Sequence, residues 1–165
     1  AAEQHDVVAI KAAVTWSVSQ SSDGQEIVGS IDVPDRGMKL KLTFRQNRDK
    51  TLPASHVVEI VAEVPANFPG KSIRDVPRIV MKPSEDARGQ PLVGASAKVA
   101  DGFFWVALSN VDADLANNLG LLKNREWFDL PLLYDSGQRA ILTFEKGTSG
   151  DRVFDQVLSA WAAGG

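Results

Sequence analysis

The strongest constraint in this chain is alternation. From Lys39 to Arg45, Leu40, Leu42 and Phe44 fall on one side, and Lys39, Lys41, Thr43 and Arg45 on the other. Successive side chains of a strand point to opposite faces, so this pattern puts one face on a core and one in water. The same period runs through Val14, Trp16 and Val18, then Ile27, Gly29, Ile31 and Val33, then Val58, Ile60, Ala62 and Val64. Turn clusters at Ser21-Ser22-Asp23-Gly24 and Pro34-Asp35-Arg36-Gly37, and a polar loop over 46–54, separate these runs. Four antiparallel strands are predicted by Val64.

Alternation stops at Pro65. The stretch from Pro65 to Arg78 holds Pro65, Pro69, Gly70 and Pro77 and shows no period. A loop of this length either carries function or packs on itself. Ile79, Val80 and Met81 suggest a short strand, and Pro83 to Pro91 another loop. Leu92–Val99 and Phe103–Ser109 read as a hairpin around Ala100-Asp101-Gly102. Leu115, Leu119 and Leu122 then recur at helical spacing, with Ser109, Asn110 or Asp112 as candidate caps. Glu126–Leu133 and Arg139–Glu145 return to strands. Thr148 with Asp151 resembles a capping box, and Val153, Phe154, Val157, Leu158 and Trp161 form one helical stripe.

Short strands divided by turns, with no βαβ alternation, predict a mainly β fold: an antiparallel, jelly-roll-like β-sandwich of eight to ten strands with two short helices, one C-terminal. One domain accounts for all 165 residues. Residues 1–10 read as a loose N-terminal segment and 162–165 as a tail. The start, Ala1-Ala2-Glu3 without methionine, is what a processed chain or a piece of a longer gene would show.

Composition narrows the chemistry. With no cysteine, thiol nucleophiles, thiolate metal sites and redox pairs are excluded. A formal charge of −3 gives no electrostatic case for nucleic acid. His5 and His56 are the only histidines, and there is no Gly-x-Ser-x-Gly elbow, so neither a serine triad nor a zinc site has its usual residues. His5 falls in the N-terminal segment, and His56 on the core side at the start of its strand. Three carboxylate pairs stand out, Glu85/Asp86, Asp112/Asp114 and Glu126/Asp129, and they read as solvated or capping charges. Lys146-Gly147-Thr148-Ser149-Gly150 reads as a strand-to-helix turn rather than an anion site. The basic cluster Lys39, Lys41, Arg45, Arg48 and Lys50 lacks exposed aromatics and reads as a solvated face. Trp16, Trp105 and Phe144 are expected at the sandwich centre. Consecutive aromatics at Phe103-Phe104-Trp105 must point to both faces, which makes Phe104 a candidate contact. Phe68, Lys71 and Arg74 in the long loop are the others.

The stretches from Arg45 to Ile60, Pro77 to Gly94 and Asp101 to Leu158 resemble the C-terminal soluble domain of uncharacterised alphaproteobacterial proteins. That resemblance implies a proline-rich region and one membrane anchor ahead of the domain. A more distant resemblance is to the invasion-associated locus B family of small extracytoplasmic β-sandwich proteins. It is carried by the strand Gly102 to Ser109, the Asp-started helix Asp112 to Leu122, the turn Asp135 to Gly137 and the closing helix with Phe154. That family commonly has cysteines in the region of the Ala97–Phe104 hairpin, where this chain has Ala, Val, Phe and Trp.

These readings converge on a non-catalytic binding domain of the cell envelope, periplasmic and tethered to the inner membrane by an anchor ahead of the chain. It takes no cofactor and no metal, and its partner is an unidentified protein or envelope component. The alternatives are a small-ligand sensor with its ligand between the sheets, and a hydrolase acting on an anionic or sugar substrate through Glu85 or Asp86.

Overall fold

In a computed structural model, which describes residues 7–164, the chain forms two six-stranded sheets packed face to face, with two helices. Twelve strands and two helices follow in order: β1 (Val7–Lys11), β2 (Ala13–Ser21), β3 (Gly24–Val33), β4 (Met38–Gln46), β5 (Ala54–Glu63), β6 (Ile73–Asp75), β7 (Val80–Lys82), β8 (Gln90–Pro91), β9 (Gly94–Ala100), β10 (Phe103–Ser109), α1 (Asp112–Asn124), β11 (Trp127–Tyr134), β12 (Arg139–Glu145) and α2 (Gly147–Ala162). The β-sandwich predicted from alternation is the observed architecture. The strands not read from the sequence are β1, β6 and β8; β6 has three residues and β8 two, too few for any period to show.

One sheet runs β2-β3-β4-β5-β10-β9, so the four strands read from the first alternating runs form a meander of successive neighbours. The other runs β1-β12-β11-β7-β8, with β6 also on β11. The chain passes between the sheets four times: at Ala12 between β1 and β2, through the long loop between β5 and β6, at Leu92–Val93 between β8 and β9, and through α1 between β10 and β11. The N-terminal stretch expected to be loose is therefore part of the fold from Val7 onward. It pairs in parallel with β12, Val7 opposite Arg139 and Lys11 opposite Thr143. Residues 1–6, His5 among them, and Gly165 of the tail lie outside the described residues.

Pro131 sits in the middle of β11, where a missing N–H should break a ladder. Its strand pairs β7 at Trp127–Asp129 and β6 at Leu133–Tyr134 on the same flank. Residues 130–132 lie in the gap between the two short strands, so the proline costs no bond on that side.

The alternating residues meet at the centre. Trp16, Phe44, Phe128, Phe144 and Phe154 form one aromatic cluster, with Phe128 and Phe144 stacked at 5.0 Å. Each such buried ring contributes on the order of 1.5–3 kcal/mol of transfer free energy. Trp16 is held between two glycines: a Cβ at Gly29 on β3, or at Gly150 on α2, would lie 2.7 Å from its ring atoms. The absence of side chains at these two positions is what lets β3 and α2 close on the indole.

α2 covers one end of the sandwich. Its stripe of Phe154, Val157 and Trp161 is buried as its spacing predicts. Its start is built differently from the expected capping box. No side chain caps the helix from within; the Gly147 amide donates to Glu126 Oε2 at 2.8 Å, from 21 residues upstream. Nor does a local side chain cap α1: its N-cap is Val111, whose amide donates to Ser109 Oγ while Ser109 itself donates to Asp114. α1 docks through Asn118, which is buried and pairs its amide with both the N–H and the C=O of Val93, at 2.8 and 2.9 Å.

Candidate functional site

Lys146 lies at the junction of β12 and α2 with its side chain 3% exposed. The ammonium donates to the carbonyls of Leu122 and Lys123 in the last turn of α1 and lies 4.6 Å from the Phe154 ring centre. Carbonyls at a helix C-terminus carry partial negative charge, which compensates the buried cation. Burial still lowers its pKa, opposed by Asp151, Glu126 and Asp155. Burial raises the pKa of Glu126, and the neighbouring Asp151 adds to that rise. This cluster ties α1 to α2. With its lysine turned inward and its first amide given to Glu126, the Lys146–Gly150 turn has no anion-binding cradle on the surface.

Asp129 and Glu85 are committed too. Asp129 accepts from Lys82 at 2.8 Å and from Thr143 at 2.7 Å, a ladder across β7, β11 and β12. Glu85 pairs with Lys11 at 3.6 Å, and its carbonyl takes the Lys82 ammonium at 2.6 Å. Glu85 and Asp86 line a shallow recess of about 370 Å³ with these same residues. The centre between the sheets, where a sensor would hold its ligand, is occupied by the five rings.

The four residues expected at a contact surface divide. Phe104 is 0% exposed and faces the core with Val106 and Leu108. The strand's parity is the reverse of the expectation: Phe103 and Trp105 take the outer face. Trp105 pairs opposite Glu59 and lies under the Arg45 guanidinium at 5.5 Å, so it does not fill the sandwich centre. Three aromatics in a row satisfy either register, and only the neighbouring strand decides between them. Phe68 is 5% exposed and packs edge-on against Tyr134 at 5.0 Å, so it anchors the loop instead of presenting a ring to a partner. Lys71 is exposed, at positive φ. Arg74 donates to the Asp135 carbonyl at 2.7 Å and pairs with its carboxylate. A hydrogen bond from Ser72 holds the Asp135 pKa low, with smaller help from Arg74.

The long loop thus packs on itself, and what it borders is a cleft. At the end of the sandwich away from α2, a concavity of about 1040 Å³ opens between β1, the turn after β3 and the loop. Ile10, Val33 and Phe68 form its apolar floor, with Pro34, Pro65 and Pro69 around it. Lys11, Asp32, Asp35, Arg36 and Asn67 stand at its rim. Asp32, Asp35 and Arg36 are exposed, and none has an ion-pair partner among the described residues. Sequence reasoning placed Asp35 and Arg36 in a turn and saw no site there. The signal was an uncompensated charge pair beside a proline-rich loop, but only β1, unread in the sequence, completes the wall.

Comparison of the chain with family models, with curated proteins and with solved structures finds no match.

Proposed function

We propose that this chain is a non-catalytic binding domain of the bacterial cell envelope and that its recognition site is the cleft at the open end of the sandwich. The cleft carries the reading: a concavity of about 1040 Å³ with an apolar floor, rimmed by charges of both signs that have no ion-pair partner among the described residues, lies under a self-packed loop. The resemblance to extracytoplasmic domains supports a periplasmic location and an anchor ahead of the chain. The partner is a protein or another envelope component.

Two measurements test this. A reporter active only outside the cytoplasm, fused after the domain in its full-length gene, is expected to be active; a silent but expressed fusion removes the envelope assignment. A photo-crosslinking residue at Asn67 is expected to capture a defined species in cells, while the same residue at Ser17, on the outer face of the meander sheet, captures none. Equal capture from both positions removes the cleft as the site.

A further inference from the structure

We infer that the cleft takes an extended polypeptide segment, which adds as a strand to the free edge of β1. This deepens the binding-domain reading and rests on it. The outer strands are β1, β6 and β8 in one sheet and β2 and β9 in the other, and four of these five edges are blunted; β6 has only three residues. β8 has only two residues, and β2 lies against α2. β9 ends its regular pairing at a bulge next to Lys98, two features that discourage further pairing. β1 offers five residues that pair on one side with β12 and, among the described residues, on the other side with no strand.

The cleft runs along that open edge. Ala9, Ile10 and Lys11 all line it. The lining also takes in Ala13, Asp32 and Val33 and no residue of β12, so the cavity lies on the side of β1 away from its partner strand. The direction of the backbone groups agrees. Ala12 gives its N–H to Thr143. Amides alternate along an extended chain, so those of Ala9 and Lys11 point away from β12, toward the cleft. A peptide there would gain main-chain hydrogen bonds from the edge, with alternate side chains reaching the floor at Ile10 and Phe68. Arg36 on one hand, and Asp32 and Asp35 on the other, would receive side chains of opposite charge.

The probe is a phage-displayed library of random dodecapeptides, panned on the whole domain. Recovered peptides are synthesised and their affinities measured by fluorescence polarisation. Ala9→Pro removes one cleft-facing N–H and leaves the β12 ladder intact. Selected peptides should lose at least tenfold in affinity for Ala9→Pro and keep it for Lys41→Glu, on the far face. Peptides carrying acidic residues should also weaken on Arg36→Glu. If Ala9→Pro does not fold, Asn67→Trp, which fills the cleft from the loop side, replaces it with the same expected loss. Peptides that bind wild type and the blocked variant equally overturn strand addition. No enrichment over the blocked variant overturns it as well. In either case, capture from Asn67 in cells still stands or falls separately, so failure here is distinct from failure of the binding-domain reading.

Discussion

The two ends of the sandwich face the same problem, an apolar interior open to water, and close it by different means. At one end α2 lies over the opening and drives Phe154 and Trp161 into the interior. At the other a turn and a loop meet over Phe68 and leave a cleft. A helix has one continuous apolar stripe and can seal an end like a second layer. A loop must satisfy its own backbone first, so it packs against itself and leaves space beside it. Stability should therefore concentrate at the helix end and recognition at the loop end.

The sharpest way to break this contrast is to truncate one ring at each end. Phe154→Ala should cost about 4–5 kcal/mol in denaturant unfolding, because it empties a site enclosed by Trp16, Phe44 and Phe128. Phe68→Ala should cost less, about 3 kcal/mol, since its site already borders open space. Equal losses would mean that the loop end is as tightly built as the helix end.

A second test uses acid. His56 is 8% exposed, lies against Trp161 with ring centres 4.6 Å apart, and burial lowers its pKa from 6.5 to about 4. In the fold it is neutral at neutral pH, whereas in the unfolded chain it takes a proton below 6.5. Its contribution is thus complete above pH 6.5 and declines as pH falls toward 4. Between pH 7 and 4.5 wild type should lose about 2–3 kcal/mol more than His56→Phe. The loss should appear first as faster amide exchange at the C-terminal turn of α2, with β1 and the loop unaffected. Parallel pH profiles for the two proteins would remove His56 as the cause.

The smallest effect expected is at the junction of the helices. Lys146→Met keeps the apolar stem and removes the cation from the last carbonyls of α1. Relief of the buried charge offsets part of the loss, leaving about 1–2 kcal/mol. Exchange in the final turn of α1 should quicken, and a variant as stable as wild type would show that the carbonyls find other partners.

The sequence made the meander legible because one face of each strand is wet, so composition alternates with geometry. It also gave the stripe of α2 directly. It was silent where geometry depends on distant residues. β1 is five residues held by a partner near the other end of the chain. The parity of Phe103-Phe104-Trp105 is set by β5, and Asn118 is buried because it pairs with a backbone, which no hydrophobic pattern records. The expected contacts at Phe68 and Phe104 failed for one shared reason: an aromatic in an unpatterned or double-aromatic stretch is still most stable inside. The charges around the cleft went unread because their wall comes from three separated segments.

The parallel pairing of β1 with β12 also sets an order of events. Residues 7–11 leave the ribosome well before residues 139–143, the partners they pair with. The meander can assemble from near neighbours meanwhile, but the pairing of β1 with β12 closes a loop that contains every other strand, a slow kind to form. Until that happens the cleft lacks its β1 wall. A chain cut short before β12 lacks the complete cleft, so a probe that fills the cleft reports that β1 and β12 have paired.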